Sequence, residues 1–462
     1  MNTESYDRTK DVKQFDDTKT GVKGLVDSGI TTIPRFFIQP PDILSDLRPN
    51  STTPTDLELI PTIDLSGVDH SDQRQTIVEN IGRASRELGL FQIINHGIEV
   101  EALERVIRAI KGFHEQPVDV KARLYRRDMN SSIAFYSNID LFHSKAAAWK
   151  DTLQLKLGPT LPELDEIPEI CRNAVVEWNE NVTKLADVLI GLLCDALGVE
   201  KRRMEEMNIV EGRMMVAHYY PYCPQPDLTV GIKSHTDPGA LTILLQDQKG
   251  GLQVKYGDQW VDVKPVPGAL VINIGDLLQI MSNDEYKSVE HRVLANQVLE
   301  PRISTAVFLA PSGLDNFYGP LAELISSEKP AHYRQFTYTD FMRSKERKSP
   351  KKRKSTSYCD VDRGAPTAMW TVVNSNKISV RGVDRCKARR LGLWYSERSI
   401  TKVFRSMAHI NDGFCMDQER FFFRGKVYLY VEHESLEREG KSVLVTWIRK
   451  SCACKRRFPY GF

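Results

Sequence analysis

Three residues carry the most specific chemistry in this chain. His235 and Asp237 stand one residue apart, so on extended backbone both side chains point to the same face. His291 follows 54 residues after Asp237, in a stretch expected to return across the same sheet. Two imidazoles and one carboxylate form the facial set that holds Fe(II) and leaves three coordination positions open. A bidentate cosubstrate and O2 need those positions, and a fourth protein ligand would block one. Alone, His-x-Asp also fits a surface turn, His235-Thr-Asp-Pro-Gly239, capped by Asp237. Arg302-Ile-Ser304 adds weight to the metal reading. Both side chains share a face at a strand start, eleven residues beyond His291. Arg grips a carboxylate through two parallel N–H···O bonds and a hydroxyl adds a third, which suits the distal carboxylate of 2-oxoglutarate.

A site of this kind needs a rigid β scaffold, and the sequence around it has that texture. From Arg213 onward, short β-branched runs alternate with Gly and Pro: Met214–Tyr220, Leu241–Gln246, Leu252–Lys255, Gln259–Val263, Ala269–Ile274 and Ile303–Leu309. Strands at that spacing predict an antiparallel sandwich or barrel. Upstream, Ile60–Leu65 and Phe91–Asn95 read as strands. Ile77 to Leu88, Glu101 to Phe113 and Asn173 to Leu197 read as helices, the first and last ended by Gly89 and Gly198. His332 to Arg343 reads as a closing helix. Residues 1–60 show a weak helical pattern before Pro34, then linker texture through Pro40-Pro41 and Ser51–Pro54.

Bulk properties divide the chain. A net charge of +2 over 462 residues conceals 26 basic and 12 acidic residues from Glu346 onward, a local +14. The first 345 residues carry the other 37 basic and 49 acidic groups, a local −12. Apolar residues make up 41%, enough for a sizeable core. Cys171, Cys194 and Cys223 are scattered through the acidic part, which fits a reducing compartment. The start is polar, with no secretory apolar run, and Leu185–Val199 is too short and too charged to span a bilayer. The expectation is a cytoplasmic protein without a membrane partner.

Several segments together resemble the plant 2-oxoglutarate/Fe(II)-dependent dioxygenases, and within them the 1-aminocyclopropane-1-carboxylate oxidase homologues. They are Phe15–Gly24 with Gly29–Pro34, Ile60–Asp64, Phe91–Gly97, Trp149–Thr152, His218–Pro226, Ser234–Asp237, Gly251–Gln253, Asn273–Asp276 and Ser288–Arg292. The resemblance covers roughly residues 10–345. It implies an α+β, mainly β fold: a double-stranded β-helix (jelly-roll) core with flanking helices. The expected domains are a 1–59 extension, a 60–205 helical and strand domain, a 212–312 jelly-roll core, a 313–345 closing segment and a 346–462 basic extension. It implies iron on His235, Asp237 and His291, and 2-oxoglutarate on Arg302, Ser304 and Tyr220. No catalytic residue beyond the metal centre is called for. Phe135, Tyr136, Phe142, Trp149 and Phe308 fall where the family lines its substrate pocket, though each also fits plain core. The family often has Asn where His218 stands, and a satisfied core histidine is the simpler account of it. The implied reaction consumes O2 and 2-oxoglutarate, gives succinate and CO2, and hydroxylates a small, aromatic or hydrophobic plant metabolite of secondary metabolism. Ascorbate is the implied reductant, and a monomer is expected.

Two rivals stay open from sequence. One is a true 1-aminocyclopropane-1-carboxylate oxidase, which uses ascorbate and bicarbonate instead of 2-oxoglutarate. The other is a nucleic-acid-associated protein acting through residues 346–462, where Lys348–Lys354 reads as a nuclear-localisation or nucleic-acid patch, or as a solvated charge run. Cys452 and Cys454 lack a companion pair at zinc-finger spacing. Trp370–Val373, Val427–Val431 and Val443–Ile448 read as strands, with no pattern that specifies a fold.

Overall fold

The computed structural model describes residues 6–47, 60–128 and 131–347, and strand segments at 370–374, 377–381, 420–422, 427–438 and 441–452. Two sheets make the centre of the first unit. The strands are β1 (Thr62–Asp64), β2 (Leu90–Ile94), β3 (Ile133–Tyr136), β4 (Asp151–Gly158), β5 (Gly212–Tyr220) and β6 (Val230–His235). They continue as β7 (Leu241–Gln246), β8 (Leu252–Tyr256), β9 (Gln259–Asp262), β10 (Leu270–Ile274), β11 (His291–Leu294) and β12 (Arg302–Ala310). The larger sheet runs β1-β2-β10-β7-β12-β5-β4-β3 and the smaller β6-β11-β8-β9. All pairs are antiparallel except β1 with β2. That parallel pair joins across the helix Ser71–Glu87, the crossover that parallel strands require.

Alternation along the large sheet divides its residues between two apolar layers. Odd-numbered positions of β12 and their cross-strand partners, Ile303, Val307, Leu309, Tyr219, Ala217, Leu153, Leu155, Phe135, Ile243 and Ile272, belong to one cluster. That cluster also holds the apolar stripes of helices Ser71–Glu87, Val100–Glu115 and Glu169–Leu197. Even-numbered positions of β12 and their cross-strand partners face the other way. Tyr220, Leu244, Val271 and Ala306 pack with Leu252, Val254, Val261 and Val293 of the small sheet. The helices thus cover one face of the large sheet, and the small sheet covers the other, as a two-layer domain requires.

Ten-residue spacing makes the strands from Met214 to Leu309 legible, and all six runs fold as read. Four strands escape that reading: β3, β4, β6 and β11. The first two, with sequences IAFY and DTLQLKLG, sit beyond the β-rich region, and β6 and β11 carry His, Lys or Arg at the site itself. The closing helix begins at Tyr338 rather than His332, because Phe336–Thr337 pairs with Phe317–Tyr318 as a short strand.

The N-terminal segment is more ordered than its linker texture suggests. Helices span Arg8–Thr18, Gly21–Asp27 and Pro41–Asp46. Val12, Phe15, Phe36 and Phe37 form a separate apolar cluster with Leu141, Trp149 and Cys223. Asp46 accepts from Arg292 Nη1 (2.9 Å) and Trp260 Nε1 (2.8 Å), anchoring the segment to the small sheet. Asp151 anchors its other end, accepting the backbone N–H of Val22 (2.7 Å) and Lys23 (2.8 Å) at the start of the helix Gly21–Asp27. Gly21 is obligatory there: φ is +71° and a Cβ would lie 2.4 Å from the Asp151 carboxylate.

Contacts divide the chain between Cys359 and Asp360. The second unit contains the hairpin Trp370–Asn374/Lys377–Arg381 and an antiparallel set of Arg420–Phe422, Val427–Arg438 and Lys441–Cys452. The basic run Lys348–Lys354 and Cys454 lie outside the described residues. Among the described residues no helix is long and apolar enough to cross a membrane.

Burial pushes the Asp151 carboxyl up to about 6, against the pull of the two amides, Lys121 and Lys150. A folded-state pKa above the unfolded value gives stability that is complete below pH 4 and lost as pH rises through 6. Urea midpoints of wild type should therefore fall relative to Asp151→Asn between pH 4 and 7. Asp151→Ala should cost about 1–3 kcal/mol by leaving buried amides unpaired. Parallel midpoint–pH curves for wild type and Asp151→Asn would contradict this account.

Candidate metal and cosubstrate site

His235 and His291 face each other across β6 and β11 as a direct register pair, with ring centroids 4.3 Å apart. Each ring's Nδ1 lies against the backbone carbonyl two residues earlier, Lys233 O at 2.8 Å and Val289 O at 3.2 Å. A carbonyl only accepts, so Nδ1 carries the proton in both rings and Nε2 keeps its lone pair. Asp237 enters from the turn after β6. Its Oδ2 accepts from Thr242 Oγ1 (2.7 Å) and Asn273 Nδ2 (3.2 Å), inner-face residues of β7 and β10. Its Oδ1 has no partner and points at the imidazoles, 3.7 Å from His235 Nε2 and 3.5 Å from His291 Nε2. The three residues each offer one ligand atom, all within 4.8 Å of one another.

The electrostatics suit a cation at that point. Burial and the neighbouring His291 bring the His235 imidazole down to about 4, so it is neutral at physiological pH. Asp237 is held below the usual carboxylate range: burial raises it, and that is outweighed by the attraction of the two imidazoles in their protonated form and by the hydrogen bonds from Thr242 and Asn273. A buried carboxylate oxygen facing two nitrogen lone pairs is a repulsive arrangement, and a divalent cation relieves it. The residues present therefore fit Fe(II).

The metal turn is fixed from two sides. Gly275 approaches so closely that a Cβ would lie 2.1 Å from the Gly239 carbonyl, and Asp276 N donates to Asp237 O at 2.7 Å. Asp276 also accepts from Thr236 Oγ1 (3.1 Å) and pairs with Lys345 of the closing helix Tyr338–Arg347.

Beside the metal residues, β12 lies between β5 and β7. Arg302 pairs with Tyr220, and Ser304 with His218 and Gln246. Arg302 is 2% exposed, and its guanidinium sits 4.9 Å from the Tyr220 ring centroid. It donates to Gly250 O, to Ser304 Oγ (3.1 Å) and to Gln246 Oε1 (2.9 Å). Three of its five N–H groups are thus used and two remain. The buried Tyr220 hydroxyl lies near Ser304 and Arg302 without a hydrogen bond of ordinary length and angle, and burial pushes it up to about 12, so it stays protonated. A fixed guanidinium with spare donors beside a protonated phenol fits an anion such as a carboxylate.

The aromatic candidates separate. Phe308 lies on the inner face, paired with Met214 and Thr242, and packs against the layer between the sheets. Tyr136 is also on that face, opposite Thr152, with its hydroxyl donating to Gln154 Oε1 (2.8 Å). Phe135 points to the helical side and packs on Phe113, His114 and Tyr125. Trp149 is fully buried against Phe37 under the N-terminal segment. Phe142 is 43% exposed, with Arg127 over its ring. His218 is buried, and its Nδ1 contacts Thr152 Oγ1 (3.0 Å) and Lys150 Nζ (3.4 Å) on the inner face, in keeping with a satisfied core histidine. Sequence reasoning missed Thr242, Gln246 and Lys150. Their signal is positional, an even place in the alternation that carries Ser304.

Comparison with known proteins agrees with this geometry. A family model described as the 2OG-Fe(II) oxygenase superfamily matches residues 211–311, and one described as the N-terminal region of a non-haem dioxygenase in morphine synthesis matches 60–174. The chain is 49% identical to 1-aminocyclopropane-1-carboxylate oxidase homolog 5 of Arabidopsis thaliana, over 73% of this chain and 86% of that one. It is 45% identical to deacetoxyvindoline 4-hydroxylase of Catharanthus roseus, over 72% and 84%. Among solved structures, JOX2 in complex with 2OG, Fe and JA superposes with a TM-score of 0.61 at 32% identity, covering 70% of this chain and 92% of that one. A rice dioxygenase for auxin oxidation gives 0.54 at 25% identity, over 63% and 95%. The chain belongs to the 2OG-Fe(II) oxygenase superfamily, alongside the plant 1-aminocyclopropane-1-carboxylate oxidase homologues, and is a non-haem Fe(II), 2-oxoglutarate-dependent dioxygenase.

Proposed function

We propose that His235, Asp237 and His291 hold the Fe(II), that Arg302, Ser304 and Tyr220 hold 2-oxoglutarate, and that the reaction is hydroxylation of a small plant metabolite with aromatic or hydrophobic character. The observation that carries this is the unpartnered Asp237 Oδ1 facing two Nε2 lone pairs, with the Arg302 donors on the adjoining strands. When bound, the metal and cosubstrate supply the redox chemistry, coupling decarboxylation of 2-oxoglutarate to succinate and CO2 with oxidation of a substrate C–H bond. The chain's residues position and enclose. The carbonyls of Lys233 and Val289 orient the two imidazoles, and Thr242 and Asn273 turn one Asp237 oxygen away so that the other is free. Arg302 fixes the distal carboxylate, and the Tyr220 hydroxyl adds a donor. Phe308 and Tyr136 give the inner face an apolar wall. Ascorbate serves as reductant, the chain acts as a monomer in the cytoplasm, and a strict requirement for 2-oxoglutarate would separate this reading from the ascorbate- and bicarbonate-dependent oxidation of 1-aminocyclopropane-1-carboxylate.

The test is succinate formed from 2-oxoglutarate by the full-length protein with Fe(II), ascorbate and O2, beside His235→Ala. Wild type should form succinate and His235→Ala none; equal rates would sink the metal assignment, and ethylene release without 2-oxoglutarate would favour the rival. Arg302→Ala should raise the KM for 2-oxoglutarate about 10-fold or more, the worth of charge-assisted bonds. Unchanged kinetics there would remove Arg302 from the cosubstrate site. Thr242→Val should weaken Fe(II) binding about 10- to 100-fold, the usual effect of losing a group that orients a ligand. Titration of the metal under nitrogen reads this directly, and unaltered affinity would show that Asn273 alone suffices.

A further inference from the structure

Lys150 stands two residues before Thr152, just ahead of β4, and its side chain runs along the inner face of the large sheet. Its ammonium donates to Thr152 Oγ1 at 3.0 Å and lies 3.4 Å from His218 Nδ1. Both partners are neutral, and burial keeps His218 well below its ordinary value. Among the described residues no carboxylate lies at ion-pairing distance from this ammonium. Protein surrounds the ammonium, while the residue as a whole keeps partial exposure. Burial lowers it to about 8, with Asp140 and Asp151 pulling back, so it remains mostly charged at pH 7. Its neighbour His218 is paired across the sheet with Ser304, and its charge also acts on His235.

Position separates this cation from the cosubstrate anchor. Across the sheet the row runs Thr152, His218, Ser304, Gln246. Two strand spacings, about 10 Å, divide Thr152 from Ser304. Arg302 already provides for the distal carboxylate of 2-oxoglutarate at one end of the row. A second buried cation beyond the other end, felt by Asp140 and Asp151 but with no carboxylate at ion-pairing distance among the described residues, gains from a ligand that supplies one. Gln154, two positions further along the same face, adds to this. Its Oε1 is taken by the Tyr136 hydroxyl, and its Nε2 is a buried donor without a partner. Two donors on one wall call for an acceptor-rich ligand.

We propose that Lys150, with Thr152 and His218, forms a carboxylate-binding subsite that anchors an anionic substrate beside the iron, distinct from the 2-oxoglutarate anchor at Arg302. The proposal rests on the oxygenase reading of the site and narrows its substrate class to small molecules that join an apolar body to a carboxylate. The carboxylate meets Lys150, and the apolar part extends towards Phe308 and the metal.

The test uses the full-length protein loaded with Fe(II) and 2-oxoglutarate under nitrogen, so that binding is read without turnover. The probes are phenylacetate and hexanoate, each against its primary amide, titrated by calorimetry. Wild type should prefer each acid over its amide by about 10-fold or more, the scale of a charge-assisted bond. Lys150→Met should lose that preference, and Lys150→Arg should keep it. Equal affinity for acid and amide in wild type, including no binding of either, overturns the proposal without any variant having to fold. So does a preference that survives in Lys150→Met. A raised KM for 2-oxoglutarate in Lys150→Met with the acid preference intact would assign the ammonium to the cosubstrate, and also overturns it. Failure of wild type to form succinate in air would instead mark failure of the oxygenase reading, a separate readout from acid preference.

Discussion

The register at which β12 lies between β5 and β7 governs everything else in the first unit. Its odd positions, Ile303, Val307 and Leu309, close the core against the helices, while its even positions, Arg302, Ser304 and Phe308, face the small sheet and the metal residues. One backbone thus carries both the burial that stabilises the fold and the donors that bind the cosubstrate. A slip of one residue would exchange the two faces, sending Arg302 into the apolar helix layer and Ile303 to the cosubstrate. The cost of that exchange is what fixes the site. The guanidinium keeps its place because the helical side cannot accept a charge, and the small sheet cannot pack without Tyr220, Leu244 and Ala306.

Much of this was legible in the sequence because alternation and ligand spacing are local signals. The His235, Asp237 and His291 pattern and the Arg302-Ile-Ser304 step name one face of extended chain, and the six β-rich runs supply the sheets. What was not legible depends on partners far apart in sequence. Thr242 and Asn273 look like ordinary strand residues until the β7–β10 register places both on Asp237. Phe135 and Tyr136 are adjacent and both aromatic, and no local property says which faces the helices. The pairing of Tyr136 with Thr152 decides it. Trp149 belongs to a small core that exists only because the N-terminal segment folds back over it.

That segment has a part in the site although it contributes no ligand. Asp46 binds the Arg292 guanidinium, which stacks 4.1 Å from the Trp260 ring and also donates to Gln253 Oε1 (2.8 Å). Arg292 adjoins His291, so the outer face of β11 is braced by the N-terminal segment while its inner face presents the imidazole. The closing helix does the same for the other ligands through Lys345 and Asp276. Both ends of the oxygenase region therefore converge on the short stretches that carry the metal residues.

Both imidazoles are oriented by main-chain carbonyls, Lys233 O and Val289 O, at the same distance along the chain. A carbonyl is present whatever side chain its residue bears. The side chains at positions 233 and 289 therefore take no part in orienting the two imidazoles. The imidazoles thus depend on strand pairing alone, whereas Asp237 also depends on the side chains of Thr242 and Asn273. A site with such strict geometry can therefore leave a sparse written trace, a few letters scattered along a long stretch of sequence.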